Sequence, residues 1–392
     1  MRVYENPLLK LNVSMHDGRV QLGSEGALSL PAKPILKKIN RIFADEKPIL
    51  VEDDRLIFST WIPPIPGAAF DRLISAEVNA LLKRRVPDQT SIGITTRCPN
   101  KCIHCGASDI GGEELSLSEI AGVIDQAQDL GTYLISFDGG EPMMRQDLPQ
   151  MVAHVNREKA VATSFTSGYG LDESMARALK NAGMYAVRIS LDGADAKEHD
   201  RMRGRAGAFA DATAGIKNAL DASLLVDMFV VVSPENIDCL DDFYSLACDL
   251  GVHEISLYEI IAVGRWLEHE DEVITESDVL RLKDFQKSIN RLPDGPRVTA
   301  FPYFMGPELF GCFAGRRWMH ITAAGDVLPC AYTPLSFGNV REEPLGEIWK
   351  RIGRHPAYRG HADYCMMRNP EFRERYIHSI PEGSAMPYLV DV

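Results

Sequence analysis

Three cysteines stand close together in the segment Arg97-Cys98-Pro99-Asn100-Lys101-Cys102-Ile103-His104-Cys105. Thiolates on one short loop can wrap one face of an iron–sulfur cubane, and three of them leave one iron without a protein ligand. An open iron is what chemistry on a small coordinating molecule requires. The same residues also allow a zinc site with His104 as fourth ligand, although zinc favours paired C-x2-C knuckles from two loops. A second set, Cys312, Cys330 and Cys365, lies far down the chain. Twelve residues separate Cys312 from Gly325 and four separate Gly325 from Cys330. Ala324-Gly325-Asp326 reads as the turn of a hairpin that brings Cys312 and Cys330 to one place. Three unrelated buried thiols are the alternative. His361, four residues before Cys365, is a further candidate ligand, because imidazole is a common one. Cys239 and Cys248 read as simply buried.

These loops need a frame. Apolar, β-branched runs recur at 92–96, 133–137, 161–166, 186–191, 226–232 and 254–258. Helix-like segments lie between most of them, at 117–130, 148–158, 173–182, 210–221 and 240–250, the first opened by a Ser116…Glu119 capping box. Alternation of this kind predicts a parallel sheet covered by helices. The expected fold class is α/β, a partial (β/α)6 barrel over residues 91–265. In barrels the loops at the strand C-termini carry the chemistry, and the Cys98 loop follows the first strand. Residues 1–90 read as a small α+β unit with hairpins at 15–20 and 49–59 and a helix at 34–42. Trp61-Ile62-Pro63-Pro64-Ile65-Pro66-Gly67 links it to the barrel. Residues 266–392 form a loop-rich C-terminal region, with helices at 276–290 and 345–351 and an irregular tail from Ser384.

Further polar residues fall at strand ends. Gly139-Gly140-Glu141-Pro142 follows the second strand. Its glycines let backbone approach a ligand closely, and Glu141 can accept hydrogen bonds from an ammonium group. Alternation places Arg188, Ser190 and Asp192 on the inner side of the fourth strand.

C-x3-C-x2-C after one strand, followed by Asp138-Gly139-Gly140-Glu141-Pro142 after the next, resembles the radical S-adenosylmethionine (SAM) superfamily over about residues 90–265. The resemblance implies that Cys98, Cys102 and Cys105 hold a [4Fe–4S] cluster whose open iron is chelated by SAM. Reductive cleavage then gives a 5′-deoxyadenosyl radical that abstracts hydrogen from substrate. It further implies that Gly139, Gly140, Glu141 and Pro142 bind the SAM amino group and that Ser190 contacts its ribose or carboxylate. Arg203, in His199-Asp200-Arg201-Met202-Arg203-Gly204, would pair with that carboxylate, and Ile261 would help cradle adenine. His104 stands where many members carry an aromatic, and Ser167 where relatives often carry Asn. The spacing of Cys312, Gly325 and Cys330 resembles the SPASM/Twitch extension, which implies an auxiliary [4Fe–4S] cluster. Full SPASM domains continue with a dense run of cysteines, whereas here only Cys365 follows, so one auxiliary cluster is expected. The implied partners are a reductant such as ferredoxin or flavodoxin and a peptide or small-molecule substrate. Peptide maturation stands beside tetrapyrrole, cofactor or lipid modification. The reading from another class is a non-catalytic iron–sulfur or zinc-binding protein.

The 392 residues carry 42 basic and 55 acidic side chains, 42 − 55 = −13. That balance argues against nucleic acid as a partner. No export signal and no run of about 18 apolar residues is read. The expected location is the cytoplasm, where clustered cysteines are metal ligands rather than disulfides.

Overall fold

A computed structural model describes residues 2–390 of the chain apart from 6, 17, 53, 109 and 110. Near the N-terminus, β1 (Arg2–Glu5), β2 (Lys10–His16) and β3 (Arg19–Glu25) form an antiparallel sheet in that order. Alternation turns Leu11, Val13 and Val20 inward, onto a small core with Leu36, Phe58 and Phe70. The helix Ser29–Phe43 lies beside β3, and the Asn40 amide exchanges two 2.8 Å hydrogen bonds with the backbone of Leu22. The hairpin of β4 (Leu50–Val51) and β5 (Leu56–Ile57) follows. The expected turn residues Asp17 and Asp53, and the side chains of Ile35 and Ile42, lie outside the described residues.

The six expected barrel strands are β6 (Gln89–Thr95), β7 (Leu134–Gly139), β8 (Val161–Thr166), β9 (Met184–Ser190), β10 (Leu225–Val232) and β11 (Glu254–Glu259). They pair in parallel and in chain order. One face of each strand buries Ile92, Ile94, Ile135, Phe137, Val187 and Ile189 beneath the helices. The helix Leu117–Leu130 is fixed at both ends. Ser116 and Glu119 form a capping box, and Gly131 closes it at φ 114°. A cap of this kind is worth about 1 kcal/mol.

The sheet continues beyond residue 265. β12 (Arg297–Ala300) adds in parallel to β11, and β13 (Trp318–Ile321) adds in parallel to β6. β14 (Val327–Leu328) then pairs antiparallel with β13, through the turn that holds Gly325 at φ 95°. The nine-stranded sheet has β12 and β14 at its edges, an open partial barrel. The sequence pattern hides β12 and β13 because each is four residues long and carries inward polar side chains, Arg297 and Thr299 in one and His320 in the other. The tail is not wholly irregular either. β15 (Leu335–Ser336) pairs with β16 (Tyr388–Leu389).

The barrel interior is polar at its N-terminal end and aromatic above. Buried Glu254 accepts from Ser59 Oγ at 2.9 Å, Thr60 N at 2.7 Å, Thr60 Oγ1 at 2.8 Å and Thr299 Oγ1 at 2.6 Å. Buried Asp227 accepts from Ser256 Oγ at 2.7 Å and Trp61 Nε1 at 3.2 Å. The Arg188 guanidinium lies 3.6 Å from the Trp61 ring and donates to Thr60 O at 3.0 Å. Ser59, at the end of the expected hairpin, Thr60, and Trp61, the first residue of the expected linker, therefore fill the bottom of the barrel. Arg188 serves that plug and not the mouth.

Candidate functional site

The Cys98 loop leaves β6 at the C-terminal mouth of the sheet. It is held from below by the next loop. Gly140 N donates to Thr95 O at 2.7 Å and Glu141 N to Arg97 O at 2.8 Å. Gly139 has φ 124°, and a Cβ there would collide with Thr95 O, while one on Gly140 would collide with Arg97 O. The two glycines thus permit the approach of one loop to the other. The loop is held from the side by the end of the helix Ala196–Arg203. Lys101 N donates to Arg203 O at 2.9 Å and Ile103 N to Met202 O at 3.0 Å. From above, Arg265 N donates to Cys105 O at 3.1 Å and Arg265 Nη1 to Cys102 O at 3.2 Å. Cys98 is exposed, Cys105 half-buried and Cys102 buried, and the three lie close enough to feel one another's charge.

Arg203 is buried against this group. Its Nη2 is 2.6 Å from Asp192 Oδ2 and its Nη1 is 3.7 Å from Cys102 Sγ. The guanidinium expected to meet a ligand carboxylate already has a protein carboxylate. Asp192 also lies 3.6 Å from His104 Nε2, and its backbone N–H donates to His199 Nδ1 at 3.0 Å. Burial pushes the His104 imidazole down to about 4 despite the nearby Asp192 charge, so the ring is neutral near pH 7. Two polar atoms in this group, His104 Nδ1 and Arg203 Nε, are buried without a hydrogen-bond partner, and Asp192 Oδ2 is held by its ion pair with Arg203. Buried polar atoms ordinarily have partners, so the group suits a polar ligand. His104 faces Asp192 rather than the thiols. Among the described residues, no three His, Cys, Asp or Glu side chains sit close enough to hold one metal ion, in either cysteine set.

Glu141 is spent differently from the expectation. Its Oε1 accepts from Thr166 Oγ1 at 2.6 Å and Met143 N at 3.1 Å, and its Oε2 from Ser167 N at 2.8 Å and Ser167 Oγ at 2.5 Å. Burial pushes this carboxyl up, and those donors pull it back. Both oxygens accept donors from the third strand's end, and Oε1 also from Met143 N of the turn, so the side chain braces the turn. The same bonds give Ser167 a role, as a donor to Glu141. Pro142 is buried and opens one helical turn, Pro142–Met144. Ser190 is half-buried at the end of β9. Ile261 is buried in the main core, and next to it the Val263 side chain lies over Gly106 of the cysteine loop.

The second cysteine set also converges. Cys312, Cys330 and Cys365 line one cavity of about 30 Å³ with Glu259, Tyr332 and Arg368. Burial pushes the Cys330 thiol up to about 11. Bare thiols here resist ionisation, and a bound cation reverses that preference. Met305, Trp318 and Tyr332 separate this cavity from a chamber of about 140 Å³ inside the barrel. That chamber is lined by Trp61, Phe165, Phe229 and Tyr258, with Asp138 at its rim. Sequence reading missed Asp138, Glu259 and the aromatic wall. Their signal was parity along the strands, which places Phe229 on the inward side with Asp227. Cys239 is half-buried and Cys248 exposed, so the expectation of two buried thiols fails. Both lie at the helix Leu240–Leu250, outside either set.

Known proteins share this arrangement. Residues 92–247 match the family model of the radical SAM superfamily, and residues 312–370 that of the SPASM iron–sulfur cluster-binding domain. The AdoMet-dependent heme synthase of Nitratidesulfovibrio vulgaris is 27% identical over 296 residues, 69% of this chain and 81% of that protein. The PqqA peptide cyclase of Rhizobium meliloti is 30% identical over 299 residues, 73% of this chain and 80% of that one. Streptococcus suis SuiB bound to its precursor peptide SuiA superposes with a TM-score of 0.59 at 16% identity, covering 92% of this chain and 90% of that chain. The anSMEcpe enzyme with bound AdoMet gives 0.54 at 15% identity, over 76% of this chain and 92% of that one. With synthases and cyclases among such relatives the chain is an enzyme, and its cofactors are SAM, a [4Fe–4S] cluster and an auxiliary cluster. A cysteine loop at the mouth of an open parallel barrel, a glycine turn locked beneath it and a separate C-terminal cysteine set place this chain in the radical SAM superfamily, with a SPASM-type extension.

Proposed function

We propose that Cys98, Cys102 and Cys105 hold the SAM-binding cluster and that the enzyme acts on a peptide side chain admitted to the barrel chamber. When bound, cluster and SAM supply reductive cleavage to a 5′-deoxyadenosyl radical and hydrogen abstraction from substrate. The protein's own residues bind and orient. The backbone at Gly139 and Gly140 and the stiff turn at Pro142 would border the SAM amino group, with Glu141 bracing them from behind. Ser190 would meet the ribose, His104 would offer a neutral ring to adenine, and Ile261 would form part of the apolar wall behind it. Arg203, fixed by Asp192, sets positive charge beside Cys102.

The observation that carries the substrate reading is the chamber itself. At about 140 Å³ it is on the scale of one amino-acid side chain. Its aromatic lining takes an apolar or aromatic group, and its shared wall with the second cysteine cavity offers an electron a short way out. Cys312, Cys330 and Cys365 would hold the auxiliary cluster there. The reductant would be a ferredoxin or flavodoxin meeting the exposed Cys98 side.

The test is anaerobic reconstitution with iron and sulfide, followed by dithionite, SAM and a panel of short synthetic peptides, each with one aromatic or aliphatic side chain. Formation of 5′-deoxyadenosine together with loss of two hydrogens from the peptide is expected. Turnover that instead alters an iron coproporphyrin, with the peptide untouched, would overturn the peptide reading.

A further inference from the structure

Three cysteines cannot close a cubane, which usually takes four protein ligands. His361, the fourth candidate from sequence, is 49% exposed, pairs with Asp363 at 3.2 Å and does not line the cavity. Glu259 does. It ends β11, is 7% exposed, and is the one carboxylate among the residues lining the cavity with Cys312, Cys330 and Cys365. Its charge reaches both Cys312 and Cys365. Arg368 Nη1 lies 3.2 Å from Glu259 Oε2, yet that oxygen accepts no hydrogen bond. A buried carboxyl is tolerated when it is protonated, when its charge is paired and fully bonded, or when it coordinates a metal. Glu141 shows the bonded solution in this same molecule, with four donors on its two oxygens. Glu259 has one off-axis cation and three thiols before it.

We propose that Glu259 is the fourth protein ligand of the auxiliary [4Fe–4S] cluster, with Arg368 orienting its carboxylate and offsetting part of the site's negative charge. The inference rests on the reading that the three cysteines hold that cluster. A carboxylate oxygen is a harder donor than thiolate, and with Glu259 in place the cluster has four protein ligands.

The experiment isolates this cluster in the full-length chain with Cys98, Cys102 and Cys105 replaced by Ala. Reconstituted protein should hold roughly four irons. After dithionite reduction, its electron paramagnetic resonance spectrum is recorded with and without excess imidazole. With Glu259 intact the signal should not respond. Glu259→Ala should open one iron, so that imidazole shifts the signal or the cluster falls to a three-iron form. If the alanine variant takes up no iron, Glu259→Gln keeps the volume and weakens the donor, and an imidazole-sensitive signal is again expected. A parent signal that already responds to imidazole, or variants whose spectra match the parent and stay insensitive, would overturn the assignment of Glu259. A parent with no iron would instead sink the underlying reading of the three cysteines, so the two failures are distinct.

Discussion

Glu141→Ala separates two physical roles for the glycine turn. If the carboxylate met the SAM ammonium, its loss would cost one charged hydrogen bond, about 1.5–3 kcal/mol, or ten- to a hundredfold in SAM affinity, with stability unchanged. The geometry makes a different demand. Its oxygens receive the N–H groups of Met143 and Ser167 and the hydroxyls of Thr166 and Ser167. The hydroxyls can rotate to other acceptors, but the two buried N–H groups cannot. Each stranded donor costs about 1–3 kcal/mol, so Glu141→Ala should cost about 2–6 kcal/mol. For a chain this long that is a fall in Tm of roughly 3–9 °C. Glu141→Gln keeps one acceptor oxygen but turns an amide NH2 toward a donor, and should fall between the two. The assay is anaerobic thermal unfolding by circular dichroism beside SAM calorimetry at a temperature where both proteins are folded. An unmoved Tm together with a large loss of SAM affinity would refute the bracing role.

Replacing Arg203 by Met removes positive charge 3.7 Å from Cys102 Sγ and strands buried Asp192. The SAM-binding cluster should become harder to reduce in a redox titration followed by electron paramagnetic resonance, and stability should fall by about 3–5 kcal/mol. Replacing Cys312, Cys330 and Cys365 together by Ala should lower bound iron from roughly eight to roughly four per chain, while 5′-deoxyadenosine formation without substrate persists. Equal iron content would contradict the auxiliary site. Asp138 is pushed up to about 7 by burial. A carboxyl raised in the folded state contributes stability that is full below the unfolded value, near 4, and is lost as pH climbs through 7. Asp138→Asn should therefore gain Tm relative to the parent between pH 5 and 8, and a flat difference would show that Asp138 is not held neutral.

How far the sequence reaches depends on the range of the force involved. Helices 117–130, 173–182, 240–250 and 276–290 were readable to the residue, because a cap such as Ser116 and a terminator such as Gly131 act within one turn. The six central strands were readable because each has a face buried under helices and so must be apolar. β12 and β13 were not, since Arg297, Thr299 and His320 point into a polar interior and break the continuous apolar run by which a strand is recognised. At the site, thiol spacing located both cysteine sets. It could not locate the fourth partner of the second set, because Glu259 is more than fifty residues from Cys312 and meets it only once β11 and β12 are side by side. The bracing of Glu141 was hidden for a related reason: its acceptors were visible in sequence, but three of its four donors come from the end of the next strand.

The bottom of the barrel shows why residues 59–61 matter to chemistry at the other end. Two buried acids and a buried arginine within a barrel would cost several kcal/mol each if left unpaired. Ser59 Oγ and Thr60 N donate to Glu254, the single Thr60 hydroxyl proton serves Glu254 or Asp227, and the Thr60 carbonyl accepts from Arg188. This exchange pins Trp61, whose ring then packs on Phe165, Tyr258 and Phe301. Tyr258 and Phe165 also wall the chamber. The chamber floor is thus a side chain supplied from outside the sheet, by the segment that follows the N-terminal hairpin. Its height above the sheet's polar base is set by hydrogen bonds to Glu254 and Asp227. A displacement of that segment would reshape the chamber without touching either cysteine set.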